Sequence, residues 1–130
     1  MDEFRVLLVD DEDDFRETLQ KRLRNRKLLV EGAENGYKAL ELLQAQDFDV
    51  VILDVKMPGL DGIETLKEIK IKKPEVEVIM LTGHASVESG IQGMQLGAFD
   101  YVMKPVPLDE LLDKMRQAYE RKAMRTAHGG

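Results

Sequence analysis

The chain contains no cysteine, which excludes disulfides, thiolate zinc sites and cysteine nucleophiles and gives no pointer to an oxidising compartment. Any metal must be held by oxygen or histidine, and histidine occurs only twice. No apolar stretch approaches the ~20 residues of a membrane span, and the start Met1-Asp2-Glu3-Phe4-Arg5 lacks the basic and long apolar regions of a signal peptide. An excess of basic charge is also missing: 19 Lys and Arg against 25 Asp and Glu leave −6, a balance that repels nucleic acid and acidic membranes. A soluble cytoplasmic protein that binds neither is the simple expectation. No Pro/Gly/Ser-rich linker, repeat or low-complexity tract divides the 130 residues, and 43% hydrophobic content suffices for one core. One domain is expected over 1–121, followed by a flexible C-terminal tail or truncated linker over 122–130.

Present instead is an alternation, repeated five times, of short apolar runs with longer stretches of helical period, the pattern of βα units around a parallel sheet. The runs are Val6 to Val9, the weaker Leu28-Leu29-Val30, Val50 to Leu53, Val76 to Leu81, and Tyr101-Val102-Met103. The third and fourth are apolar at nearly every position, as in strands covered on both faces. Between them lie the stripes Phe15/Leu19/Leu23, Ala39/Leu40/Leu43 and Ile63/Leu66/Ile69. A fourth helix has Val87, Ile91 and Met94 as its apolar face, with Gly90 and Gly93 inside it. Each glycine costs helix propensity ~1 kcal/mol, so this helix is expected to be mobile. The last helix carries Leu108, Leu111, Leu112, Met115 and Ala118 and ends in the basic turn of Arg121, Lys122 and Arg125, suited to the negative pole of its dipole.

In an open parallel sheet, ligands bind outside the carboxyl ends of the strands. Asp10-Asp11-Glu12 follows the first run, Asp54 the third, Thr82-Gly83 the fourth and Lys104-Pro105 the fifth. Carboxylates, a hydroxyl and an ammonium thus converge on one edge. Clustered carboxylates repel one another unless a cation intervenes, and hard oxygens favour Mg2+. Lys104 and Thr82 can each donate to a phosphoryl oxygen. The set fits phosphoryl transfer, in which positioning and charge stabilisation do most of the catalysis.

Four segments now carry a family resemblance: Val9-Asp10-Asp11-Glu12, Ile52 to Gly59, Leu81-Thr82-Gly83-His84 and Tyr101 to Pro105. In order and spacing they resemble the signature segments of response-regulator receiver domains, over roughly Phe4 to Tyr119. The resemblance implies an α/β fold, the flavodoxin-like doubly wound (βα)5 arrangement with a five-stranded parallel sheet in the order 2-1-3-4-5. It further implies that Asp54 is the phosphoacceptor, and that Asp11, Asp54 and the backbone carbonyl of Lys56 hold Mg2+, with Asp10 reaching it directly or through water. Thr82 and Lys104 would bind the phosphoryl group, Thr82 and Tyr101 would form the switch, and Lys56 and His84 would tune dephosphorylation. The implied partners are a sensor histidine kinase or phosphotransfer protein, with a homodimer formed on phosphorylation through the fourth helix, fifth strand and fifth helix. The implied activity is a signalling receiver that takes part in its own phosphorylation and slow autodephosphorylation rather than an enzyme. The run Leu81 to Val106 is similar to receivers that precede ATPase transcription activators.

Plainer readings stand beside these. Asp13 and Asp14 suit an ordinary acidic first helical turn, and Met57-Pro58-Gly59 reads as a turn without chemistry. Haloacid-dehalogenase-like phosphatases share the Asp, Mg2+, Thr and Lys parts, but their acid/base Asp two residues after the nucleophile is Lys56 here, and no cap insertion is present. A nucleotide or flavin carrier would need a glycine-rich phosphate loop where Asp10 to Asp14 stand. A docking-only receiver would not need the intact acidic set, Thr82 and Lys104.

Overall fold

The computed structural model describes residues 4–57, 59–83 and 87–129, with side chains as far as Arg125. Strands and helices alternate strictly: β1 (Arg5–Val9), α1 (Asp13–Asn25), β2 (Leu29–Ala33), α2 (Gly36–Ala45), β3 (Val50–Asp54), α3 (Gly62–Lys72), β4 (Glu77–Thr82), α4 (Val87–Gln95), β5 (Asp100–Met103) and α5 (Leu108–Gly129). All pairings are parallel and the strand order is β2-β1-β3-β4-β5. The expected flavodoxin-like architecture is therefore the observed one.

Residue alternation along the strands splits the core in two. Leu7, Val9, Val51, Leu53, Val78 and Met80 face α2 and α3, where Ala39, Leu43, Leu66 and Ile69 cover them. Val6, Leu8, Ile52, Ile79, Leu81 and Val102 face α1 and α5, where Leu23, Leu111 and Met115 close the other side. The central strands β3 and β4 are buried at every position, which is why their sequence shows no polar alternation. Strand β2 lies at the sheet edge; it starts one residue later than the apolar run suggests and continues through Glu31 and Gly32 to Ala33. An edge strand half open to water needs few apolar residues, hence the weak signal.

Two helices depart from the sequence reading. In α4 the expected apolar face is turned outward: Ile91 is 47% and Met94 40% exposed, while Gly90 and Gly93 are the buried positions. A Cβ on Gly90 would come within 2.8 Å of Thr82 Cγ2 and 3.2 Å of the Tyr101 ring, and one on Gly93 within 3.0 Å of Met80 Cγ. These glycines let the helix backbone close onto β4 and β5, so their cost in propensity is offset by packing. Helix α5 also runs on through Gly129, past the point where a flexible tail over 122–130 was expected. Residues 119–128 include no glycine or proline to stop it.

The extension is held by charge. Among the described residues the last fully buried one of α5 is Ala118; beyond it, Arg121 Nε and Arg125 Nη1 lie 3.2 and 3.3 Å from Glu77 Oε2. Lys122 Nζ donates to Asp49 Oδ1 at 2.9 Å. Glu77, at the start of β4, is fully buried, and Lys70 Nζ approaches its other oxygen at 3.6 Å. Burial lowers the pKa of Lys70, and the Glu77 charge partly restores it.

Candidate functional site

The opposite end of the sheet carries the residues singled out by their places after strands. Asp54 is the last residue of β3 and Thr82 the last of β4. Asp10 directly follows β1, and Lys104 follows β5, anchored where its N–H donates to the Thr82 carbonyl at 2.7 Å. The Lys104–Pro105 bond is cis. Parallel registration brings Asp54 level with Leu81 and Thr82 level with Met103, so the four strand ends open onto one edge.

Lys104 is the hub. Its Nζ stands 2.7 Å from Asp10 Oδ2, 3.0 Å from Glu12 Oε1 and 3.7 Å from Asp54 Oδ2, with the Phe15 ring centroid 4.4 Å away. Burial alone would lower its pKa, but hydrogen-bonding and charge from these carboxylates outweigh burial and hold the pKa above its usual value. Oxygens of Asp10, Glu12 and Asp54 all lie within 4.8 Å of one another. Asp10 is fully buried; burial pushes its carboxyl up, against the pull of Lys104 and of the Glu12 N–H that donates to Oδ1 at 2.8 Å. Asp54, 7% exposed, is pushed up to about 7, first by burial and then by the Asp10 charge. Lys104 and the Lys56 N–H, 3.3 Å from Oδ1, pull it back only partly, and Asp11 adds to the rise.

One ammonium among these carboxylates leaves negative charge short of compensation. Hard oxygens crowded this closely fit a divalent cation, and a cation would favour the ionised form of both carboxyls.

Asp11 is exposed and stands outside the compact trio; it lines an open cavity of ≈ 560 Å³ beside Asp54 together with Lys56, Asp61 and Ser89. The Lys56 side chain is exposed. Thr82 is fully buried, its hydroxyl donating to the Val102 carbonyl at 3.4 Å. Tyr101 is half-buried and packs against the α3-side core and Gly90. His84 lies outside the described residues. Glu12 had no assigned role in the sequence reading; its place beside the Asp10-Asp11 pair was the available signal. Asp13 and Asp14 occupy the first turn of α1, as the plainer reading has it.

Comparison with known proteins bears on the chain as a whole. Residues 6–116 match the family model described as the response regulator receiver domain. The chain is 39% identical over 121 residues to the regulatory protein AtoC of Escherichia coli, a match covering 93% of this chain but 26% of that protein. It therefore spans about a quarter of that relative's length. Among solved structures, a response regulator receiver domain protein from Clostridium thermocellum superposes with TM-score 0.89 at 34% identity, covering 93% of this chain and 98% of that one. NtrX from Brucella abortus superposes with TM-score 0.91 at 30% identity, covering 97% of this chain and 29% of that one. No helix among the described residues is long and apolar enough to cross a membrane.

Proposed function

The chain belongs to the response regulator receiver domain family, and from that premise we propose that Asp54 accepts a phosphoryl group from a histidine kinase or phosphotransfer protein. The observation that carries this reading is the Lys104 ammonium set between buried Asp10 and Asp54 at the carboxyl edge of the sheet. An Asp54 oxygen attacks the donor phosphorus in line, a P–O bond forms, and the P–N bond of a phosphohistidine breaks with its electron pair returning to the imidazole. Asp10, Asp11, Asp54 and the Lys56 carbonyl would hold Mg2+, which supplies charge neutralisation for the incoming phosphoryl group. Lys104 donates to one phosphoryl oxygen. The Thr82 hydroxyl leaves the Val102 carbonyl, a long contact at 3.4 Å that is readily given up, and donates to another.

Because Thr82 and Tyr101 both pack on Gly90, a shift of Thr82 makes room for the Tyr101 ring and alters how α4 sits. The surface of α4, β5 and α5, where Ile91 and Met94 are exposed, then differs between two populations, and phosphorylation favours one of them. That surface serves an output module or partner, including a second phosphorylated copy. Lys56, two residues beyond Asp54, tunes how fast water removes the phosphoryl group, a role the family resemblance also gives to His84.

Intact mass after incubation with Mg2+ and acetyl phosphate tests the reading. One added phosphoryl group, dependent on Mg2+ and absent in Asp54→Asn, is expected; an adduct indifferent to that substitution would overturn it.

A further inference from the structure

We infer that Glu12 is a positioning residue, the resting partner from which the phosphoryl group must draw Lys104. The inference rests on the receiver reading and concerns the same site. Glu12 occupies the N-cap position of α1, where Asp, Ser or Asn would serve by bonding a free N–H of the first turn. Its side chain makes no such bond. It reaches instead across the site, Oε1 accepting from Lys104 Nζ at 3.0 Å, a contact spanning most of the chain's length. A residue that breaks a local rule while serving a long-range contact marks a functional compromise.

The three carboxylates on Lys104 differ in what can release them. Asp10, buried directly after β1, and Asp54, the last residue of β3, are both placed by the strands and both belong to the group that could hold a metal. The Glu12 side chain is 66% exposed, sits on a rotatable stem and is weakly held. Asp10 and Asp54, if they held a cation, would be less available to the ammonium, and Glu12 would be its remaining carboxylate partner. Phe15 supports the same ammonium from below. Phosphoryl oxygens on Asp54 must therefore displace Glu12 to engage Lys104, and the strength of that pair sets how readily the site accepts and keeps the group.

Two substitutions separate contact from field. Glu12→Ala removes contact and charge without removing a capping bond, since none exists. Glu12→Asp keeps the charge but is one methylene shorter. At saturating Mg2+, both should take the phosphoryl group from acetyl phosphate faster and bind beryllium fluoride more tightly, each by roughly threefold, as expected for release of an exposed ion pair. Glu12→Asp should also gain thermal stability from the new cap. An Asp variant that behaves like wild type would reduce the effect to local charge and overturn the proposal. So would two variants with unchanged rates, or a Glu12→Ala protein whose defect is weakened binding of Mg2+ alone, which would make Glu12 a metal ligand. Failure of the wild-type protein to take either probe would instead overturn the receiver reading itself.

Discussion

The two ends of the sheet bury carboxylates under opposite conditions. At the carboxyl end, Asp10, Glu12 and Asp54 share the single ammonium of Lys104. At the amino end, one carboxylate, Glu77, is met by Lys70, Arg121 and Arg125. Burying an unpaired charge costs several kcal/mol, so the second arrangement supports the fold, while the first burdens it until a cation arrives. Excess negative charge at one end suits a cation. Surplus positive charge at the other holds α5 beyond Ala118, its last fully buried residue among those described.

The contrast breaks most visibly at Glu77. Glu77→Ala leaves buried Lys70 without its carboxylate and frees the end of α5, and should destabilise the domain by roughly 3–5 kcal/mol in denaturant titration. A change under about 1 kcal/mol would show that the cluster is only a solvated surface network.

Asp54→Asn should act in the opposite sense. A carboxyl held at about 7 in the folded protein, against 3.8 when exposed, disfavours the ionised folded state by roughly 2–4 kcal/mol. The metal-free mutant should therefore be more stable than wild type at pH 8. The sign follows from proton counting: between about pH 4 and 7 the folded state keeps a proton that the unfolded chain has lost, so wild-type stability falls as pH rises through that window. The slope should shrink in Asp54→Asn and in the presence of Mg2+. Stability that is flat with pH in the metal-free wild type would remove the proposed charge deficit.

The smallest effect is expected at Arg125. Its side chain is 42% exposed, and Arg125→Ala should cost below about 1 kcal/mol globally. Amide hydrogen exchange should nonetheless rise in the last turns of α5, where ionic contacts are the described attachment. Unchanged protection there would place the hold on the remaining pairs, Arg121 with Glu77 and Lys122 with Asp49.

Much of this was legible along the chain because it depends on local repetition. Strands buried on both faces, such as Val50 to Leu53, must be continuously apolar, and residues following parallel strands must share an edge, so Asp10, Asp54, Thr82 and Lys104 could be grouped before any coordinates. The face of α4 could not be read this way. Periodicity assigns the core to Val87, Ile91 and Met94, but closeness of approach decides it for Gly90 and Gly93. Glu77 was hidden inside an apolar run, since a charged residue can be buried there only if distant cations converge on it, and sequence spacing does not show that Arg121 and Arg125 do so.

By itself, then, the sequence determined the βα alternation, the parallel sheet and the set of groups at its carboxyl edge, because these follow from hydrophobic period and chain direction. The tertiary structure alone decided which carboxylates crowd Lys104, which face of α4 is turned to solvent and how far α5 extends. Those outcomes depend on through-space distances between residues far apart in the chain, where desolvation and charge act without regard to sequence order.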